Sequence, residues 1–178
     1  KIIKASKKGD TYIIKEIIKI FNKKKIKIIK QNFFNPELTL KKGIYTITKP
    51  DAINKKDIII GKKVIKRLKK NNVGQGIVVA NNEIIEIEDI KGTDSMLLRI
   101  NKFFKKKSKK KRMGILLKYP KINQDLRIDL PTVGIKTLKK CADIGLKGIV
   151  LKSNQNIFID KDKMITFANK NKMFIAVK

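Results

Sequence analysis

The 178-residue sequence contains no histidine and a single cysteine, Cys141. Without histidine, the chain lacks Ser-His-Asp and Cys-His nucleophile systems, histidine proton shuttles and histidine-rich zinc sites. One cysteine excludes an internal disulfide and a four-thiolate metal site. No apolar run approaches the roughly 20 residues that a membrane-spanning helix needs. These absences predict a soluble protein of a reducing compartment.

Acidic residues are also few. Fifteen Asp and Glu stand against 45 Lys and Arg, which gives a formal net charge of +30, while 42% of the residues are apolar and predict a packed core. Such a charge is compatible with a nucleic-acid partner, because lysine and arginine release counterions from phosphate backbones. Only four of the basic residues are arginine, however, and nucleic-acid surfaces usually retain arginine. Because lysine, isoleucine and asparagine all have AT-rich codons and are abundant together, we attribute most of the excess to codon bias.

The densest basic run covers residues 105–112, KKKSKKKR. Its simplest interpretation is a solvated loop between a helix and a strand. A polybasic run also attracts anionic lipid headgroups, at about 1 kcal/mol per residue near the surface. Nucleic-acid binding is the least favoured of the three interpretations, because only Phe103 and Phe104 could stack on bases.

Periodicity divides the chain into two parts. Upstream, apolar residues recur at helical spacing over 10–23 and 53–70, and a short apolar run at 26–30 predicts a strand. One strand and two helices are too little for a closed domain. We therefore expect residues 1–72 to be the remaining part of an N-terminal α/β domain whose beginning is not in this chain.

Residues 73–178 predict a compact mixed-sheet α/β domain. Two apolar runs, 77–80 and 84–88, flank Asn81-Asn82 and predict a β-hairpin with a tight turn. Pro131 suits the first turn of a helix that extends to about Ala142, and Gly145 ends that segment. The remaining predicted elements are a helix at 94–106, strands at 114–118, 148–151 and 156–159, a helix at 161–170 and a strand at 173–177. The predicted fold class is therefore α/β with two α/β domains, the first only partly present.

The few carboxylates are unevenly placed. Five of the fifteen lie between residues 83 and 94: Glu83, Glu86, Glu88, Asp89 and Asp94. Asp94 follows Gly92-Thr93 and opens a predicted helix, so its simplest role is a first-turn carboxylate worth about 1 kcal/mol. The alternative is a carboxylate that binds a divalent cation or orients a water in a chain without histidine. Spacing alone favours the first role.

A second polar segment extends from Lys118 to Gly134, between a predicted strand end and a predicted helix start. Loops at strand ends are where α/β folds place ligands, and a helix N-terminus can receive an anion. Lysine, arginine and backbone amides at such a place suit a phosphate or pyrophosphate. The alternative is a structural loop with an internal Asp–Arg pair.

These segments together resemble the UDP-2,3-diacylglucosamine pyrophosphatases of lipid A biosynthesis, of the type without a calcineurin-like metallophosphatase fold. The similarity covers about residues 73–178 and is weaker upstream. The residues that carry it are Gly74-Gln75-Gly76 with Val78-Val79, Gly92-Thr93-Asp94 with Met96-Leu97, Lys118, and the run Gln124-Asp125-Leu126-Arg127-Ile128-Asp129-Leu130-Pro131-Thr132-Val133-Gly134.

The resemblance implies an enzyme of two α/β domains with its active site in the cleft between them. It implies hydrolysis of UDP-2,3-diacylglucosamine to UMP and 2,3-diacylglucosamine 1-phosphate (lipid X), with Mg²⁺ or Mn²⁺ as cofactor. It also implies a cytoplasmic enzyme that is peripheral on the anionic inner-membrane surface and has no nucleic-acid partner. The oligomeric state is left open.

The resemblance also assigns roles to individual residues. Asp94 occupies the position of the family's essential acidic residue, where it would position the metal or the water that attacks the sugar-side phosphorus. The resemblance implies that the pyrophosphate oxygens are bound by Lys118, Gln124 and Arg127. Further substrate contacts would come from Gln75, Thr93 and Thr132. Asp125 and Asp129 would either bind the metal beside Asp94 or orient Lys118 and Arg127.

The sequence departs from the family pattern at two places. Lys91 stands where the family's motif has glutamate, whereas Glu88 keeps its own family match. The glycine-rich start of the family's N-terminal domain has no counterpart. Two alternatives therefore stay open: a truncated or degenerate relative that binds a nucleotide-sugar without hydrolysing it, and a basic nucleic-acid-binding module.

Overall fold

The computed structural model describes residues 10–68, 74–106, 112–121 and 124–178. These residues form five α-helices around a six-stranded sheet, with a separate two-stranded sheet, which confirms the α/β class. The helices are α1 (Asp10–Lys23), α2 (Ala52–Arg67), α3 (Gly92–Lys106), α4 (Ile135–Ile144) and α5 (Lys161–Lys170). The strands are β1 (Gly43–Ile44), β2 (Gly76–Ala80), β3 (Glu83–Ile87), β4 (Ile115–Lys118), β5 (Thr132–Val133), β6 (Gly148–Leu151), β7 (Ile157–Phe158) and β8 (Phe174–Val177).

The large sheet is mixed, with strand order β1-β8-β6-β4-β2-β3. Its three central strands, β4, β6 and β8, are parallel, whereas β1, β2 and β3 each pair antiparallel with a neighbour. The central strands therefore finish at the same end of the sheet, which we call the C-terminal end. Because β2 is antiparallel to β4, β2 begins at this end, and β3 finishes there.

Alternating residues of the sheet face two apolar layers. One layer packs the sheet against α3, α4 and α5, and its buried residues include Val78, Leu116, Leu138, Met164 and Ile175. The other packs the sheet against α2 through Ile58 and contains Ile77, Leu117, Val150 and Ala176. Both faces of the sheet are thus covered, which explains why its central strands are apolar apart from Lys118, the last residue of β4.

The tight hairpin predicted at Asn81-Asn82 is confirmed. Both asparagines adopt left-handed backbone conformations, with φ of 52° and 66°, as the favoured two-residue hairpin turn requires. The Asp57 carboxylate, fully buried on α2, accepts a hydrogen bond from the Asn82 backbone N–H at 2.7 Å. This contact ties the turn to α2, at the end of the sheet opposite the C-terminal end.

Helix α2 begins at a capping box in which Asp51 and Asn54 exchange side-chain to backbone hydrogen bonds. Ile60, Val64 and Ile65 are partly buried against the sheet, in agreement with the helical spacing of apolar residues over 53–70. The buried positions of the helix are Asn54, Asp57, Ile58 and Gly61, and the first two of them are polar.

Two element predictions are wrong. Residues 26–30 form no strand, because Ile26 and Ile29 are exposed and a β-branched run needs a partner strand to become one. Pro131 does not open a helix: its carbonyl oxygen accepts a hydrogen bond from the Ile157 N–H at 2.9 Å, as part of the parallel β5–β7 pair. Helix α4 begins only at Ile135.

Several of the other predicted elements are confirmed. Helix α3 begins two residues before Asp94, the strand at 148–151 and the helix at 161–170 have the predicted bounds, and Gly145 ends α4 in a left-handed conformation. The division of the chain after residue 72 stays a prediction. Upstream of that point, β1 pairs with β8, and α2 packs on the same sheet as the strands that follow it.

Candidate functional site at the C-terminal end of the sheet

Polar residues from three consecutive elements meet at the C-terminal end of the sheet. Lys118, the last residue of β4, lies opposite Gly76, the first residue of β2. Glu88 directly follows β3, and its backbone N–H donates to the Gly76 carbonyl oxygen at 2.9 Å. Helix α3 begins four residues later, so its first turn lies beside the same strand ends.

Glu88 is 8% exposed although it carries a carboxylate. Its side chain lies against Gly74 and Gly76, where an added Cβ would clash with it, so the two glycines leave the room that it occupies. Its Oε2 accepts a hydrogen bond from the Thr93 hydroxyl at 2.8 Å. The carboxylate thereby connects the end of β3 to the first turn of α3.

Lys118 is buried to the same degree as Glu88, with 8% of its surface exposed. Its Nζ donates to the Thr132 carbonyl oxygen at 3.3 Å. Burial lowers the pKa of the Lys118 ammonium, and the nearby Glu88 carboxylate is the largest of the charges that oppose this shift, with Cys141 and Asp94 behind it. Lys118 is thus a largely desolvated cation at a strand end.

Asp94 lies in the first turn of α3, as its position in the sequence predicts. The Asp94 side chain is 61% exposed, and its Oδ2 lies 2.6 Å from the Lys140 Nζ of α4. A carboxylate at a helix N-terminus is stabilised by the helix dipole, and the same N-terminus attracts other anions. Asp94 therefore combines the structural first-turn role with an exposed carboxylate beside Lys118.

The loop that follows β4 holds a second group of polar residues. The Arg127 guanidinium donates to both oxygens of Asp125, at 3.0 Å from Nε and 2.7 Å from Nη2, and this pairing lowers the pKa of the Asp125 carboxyl. Gln124 is buried; its Oε1 accepts from the Lys121 N–H at 2.7 Å, and its Nε2 has no hydrogen-bond partner among the described residues. The predicted internal Asp–Arg pair is therefore present.

The structure separates the sequence-predicted site residues into two groups. The first group surrounds the C-terminal ends of the strands and consists of Gln75, Thr93, Asp94, Lys118 and Thr132. The Gln75 carbonyl oxygen, for example, accepts a hydrogen bond from the Tyr119 N–H at 2.9 Å. The second group, in the loop, consists of Gln124, Asp125, Arg127 and Asp129. Within the part of the chain that the structure describes, no hydrogen bond or ion pair joins the loop group to Lys118 or Asp94.

The fit of a divalent cation is limited. Across residues 10–68, 74–106, 112–121 and 124–178, no three acidic or cysteine side chains gather into a cation cage. Asp125 is engaged by Arg127 and Asp94 by Lys140. Mg²⁺, however, commonly uses one or two carboxylates together with substrate phosphates rather than an all-protein cage. The exposed carboxylate of Asp94 fits that mode, and the three-ligand assignment stays a prediction.

The contacts of two site residues, Lys140 and Glu88, could not be predicted from the sequence. Lys140 pairs with Asp94, but nothing distinguishes it among the many lysines of the chain. Glu88 belongs to the cluster of acidic residues between 83 and 94, but its burial depends on Gly74 and Gly76, which lie fourteen and twelve residues away in the sequence. Only the hairpin register brings these three residues together, so spacing along the chain could not reveal the contact.

The basic run at 105–112 is described only at its ends, because residues 107–111 lie outside the described ranges. At its end, Arg112 donates from Nη1 to the backbone carbonyls of Ala142 and Leu146, at 2.9 and 3.2 Å. This arginine therefore secures the end of α4. None of the helices in the described ranges has the length and apolar character needed to cross a membrane.

A buried lysine, an adjacent helix N-terminus and an exposed carboxylate at the ends of parallel strands define an α/β protein with a site suited to phosphate anions. The family model of the LpxI C-terminal domain matches residues 41–176. The chain is also similar to the UDP-2,3-diacylglucosamine pyrophosphatase LpxI of Caulobacter vibrioides, with 30% identity over 176 residues. That match covers 98% of this chain but 63% of the relative. The chain belongs to the LpxI family, and the resemblance drawn from its motifs is confirmed.

Proposed function

We propose that this chain acts in lipid A biosynthesis by hydrolysing the pyrophosphate bond of UDP-2,3-diacylglucosamine to UMP and lipid X. The observation that carries the proposal is the buried Lys118 ammonium beside the first turn of α3. The family membership and the printed name of the Caulobacter relative support the choice of substrate. Because the chain spans 63% of that relative, the activity is proposed for it rather than transferred.

Lys118 would bind the pyrophosphate oxygens. A desolvated ammonium attracts a phosphate more strongly than a surface lysine does, because water screens the latter. Its charge would also favour the negative charge that develops on the oxygens in the transition state. The backbone N–H groups of the first turn of α3 would add an electropositive surface next to it.

Asp94 would orient the attacking water and accept its proton. The water oxygen forms a bond to the sugar-side phosphorus, and the bond from that phosphorus to the bridging oxygen breaks. The bridging oxygen leaves with UMP, and the water oxygen stays on lipid X. In the structure Lys140 holds the Asp94 carboxylate at 2.6 Å, which would fix its direction.

The other predicted residues would position the substrate. Gln75 and Thr132 flank Lys118, and Thr93 opens α3. In the loop, Gln124 has an unpartnered Nε2 donor that suits a phosphate or uridine oxygen. Two nitrogens of Arg127, Nε and Nη2, donate to Asp125, so its remaining nitrogen, Nη1, would contact the substrate.

A divalent cation, Mg²⁺ or Mn²⁺, is part of the proposal. Asp94 would hold it, with Asp125 and Asp129 as the further predicted ligands, and the ion would neutralise charge on the diphosphate. We also propose that the protein works in the cytoplasm at the surface of the inner membrane. The anionic surface there would attract a chain of net charge +30.

The test is hydrolysis in ¹⁸O-water. The chain is incubated with UDP-2,3-diacylglucosamine and Mg²⁺ or Mn²⁺, with the Caulobacter relative as positive control. We expect UMP and lipid X, with the label on lipid X. Asp94→Ala should lose at least about 100-fold in rate, in the range for removal of a general base. Asp143→Ala, at an exposed carboxylate of α4, should keep wild-type activity.

Three results would count against the proposal. A label on UMP would contradict the attack on the sugar-side phosphorus. An active Asp94→Ala variant would contradict the role of Asp94. An inert chain that still binds UDP would favour a nucleotide-sugar binder without hydrolysis.

A further inference from the structure

We infer that Glu88 is a positioning residue of this site, which fixes the first turn of α3 through Thr93 and supplies the counter-charge of the buried Lys118 ammonium. The inference rests on the proposed function for its effect on turnover. The juxtaposition itself is independent of the reaction. It is carried by three observations: a space made for the carboxylate, a hydrogen bond to α3, and a sheet register that places Glu88 across one strand from Lys118 without an ion pair of its own.

The first observation is that the backbone is shaped around the Glu88 side chain. The Gly74 N–H donates to the Glu88 carbonyl at 2.6 Å, and the Glu88 N–H donates to the Gly76 carbonyl at 2.9 Å. These bonds hold Glu88 against two residues without side chains, at a place where a Cβ on either would clash with it. Burying a carboxylate is unfavourable unless it is compensated, so a space shaped around this one indicates a use for its charge.

The second observation is the hydrogen bond from the Thr93 hydroxyl to Glu88 Oε2, at 2.8 Å. Thr93 precedes Asp94 in the first turn of α3. Through this bond, the end of β3 determines where the helix N-terminus and the Asp94 backbone lie relative to Lys118. A shift of that turn would move the groups proposed to face the pyrophosphate.

The third observation concerns the groups that face Lys118 from the elements around it. Glu88 bonds through its N–H to Gly76, the β2 residue that pairs with Lys118, so the register places it across that strand from Lys118. The other groups whose charge acts on Lys118 are Asp94 on α3 and Cys141 on α4. Asp94 is paired with Lys140 at 2.6 Å. The Cys141 thiol is fully buried, which raises its pKa to about 12 and keeps it neutral. Within the described residues, Glu88 is the facing carboxylate that no cation, Lys118 included, engages at ion-pair distance, so its charge is not already neutralised by a direct pair.

The neighbouring acids provide the contrast. Glu86 and Asp89 both pair with Arg99, at 3.6 and 3.2 Å, and both are more exposed than Glu88. Removing the charge of Glu86 changes the net charge of the protein by the same amount as removing that of Glu88. Glu86→Gln is therefore a matched control for Glu88→Gln.

The test uses the whole chain with lysines labelled at ¹³Cε. Lys118 is assigned by the signal that Lys118→Met lacks, and its titration is followed by NMR. In Glu88→Gln, which keeps an oxygen acceptor for Thr93, we expect the proton affinity of Lys118 to fall about tenfold, a shift of about one pH unit. Glu86→Gln and Thr93→Val should leave the titration unchanged, and Glu88→Asp should largely restore it.

Turnover supplies the second readout. If Lys118 binds substrate as an ammonium, the alkaline limb of the kcat/KM–pH profile should move down by the same unit in Glu88→Gln. A merely structural role would lower activity equally at every pH. If Glu88→Gln does not fold, Glu88→Ser, which removes the charge without adding a buried amide, is compared with Glu88→Asp in its place.

An unchanged Lys118 titration in the charge-removing variant, or an equal shift in Glu86→Gln, would overturn the inference. A wild-type chain without hydrolytic activity would contradict the proposed function only. The NMR titration would still decide the role of Glu88.

Discussion

Among the lysines whose side chains the structure describes, Lys118 is the buried one. Its ammonium has one described hydrogen bond, to the Thr132 carbonyl, so at least one N–H donor remains for a ligand. The desolvation that lowers its pKa also strengthens its attraction for an anion. A charge excess that arises from codon bias cannot explain this lysine, because a solvent-exposed position would satisfy such bias equally well.

Cys141 lies in the apolar layer between the sheet and helices α3, α4 and α5. Its burial leads to a prediction about the pH dependence of stability. Burial raises the pKa of its thiol from 9.0 to about 12, so the folded chain retains a proton that the unfolded chain loses. The contribution to the free energy of unfolding should be constant below pH 9.0 and fall between 9.0 and about 12. At pH 8 the native thiol should resist the disulfide reagent DTNB and react only in denaturant. Rapid stoichiometric labelling of the native protein would contradict the buried placement.

At the scale of elements, α4 ends at a glycine that its backbone requires. Gly145 has φ of 93° and open space around its Cβ position, so Gly145→Ala should cost about 1–2 kcal/mol from backbone strain alone. Gly134, at the start of α4, has φ of −131° and ordinary van der Waals distance to its one neighbour, Ile159, at 3.9 Å. Gly134→Ala should therefore lose less stability in urea denaturation than Gly145→Ala, because only the preference of a helix N-cap for glycine over alanine acts there. Equal losses in the two variants would contradict this account of the helix end.

The elements also show what the sequence could and could not predict. Asn81-Asn82 predicted its hairpin because a short asparagine turn is decided locally. Pro131 suggested a helix start, but a distant strand, β7, pairs with these residues instead. Isoleucines at 26–30 predicted a strand for which the described residues provide no partner. The contacts of the site likewise depend on residues that are distant in the sequence. A motif identifies Asp94, whereas the Lys140 partner of Asp94 and the burial of Glu88 depend on how α3, α4 and the hairpin pack.

At the scale of the whole molecule, the net charge of +30 predicts self-repulsion. Raising NaCl from about 10 mM to 150 mM shortens the screening length from about 30 to 8 Å, so Tm should rise over this range. A Tm that is unchanged or falls with salt would show that the charges do not repel enough to matter.

The central claim is that Lys118 forms the phosphate site at the C-terminal end of the sheet. Isothermal titration calorimetry with UDP-2,3-diacylglucosamine, or with UDP as a soluble probe, tests it directly in the wild type, Lys118→Met and the exposed-site control Lys136→Met. A charged hydrogen bond contributes about 1.5–3 kcal/mol, so Lys118→Met should bind roughly 10- to 100-fold more weakly, while Lys136→Met should match the wild type. Equal affinity of all three proteins would contradict the account.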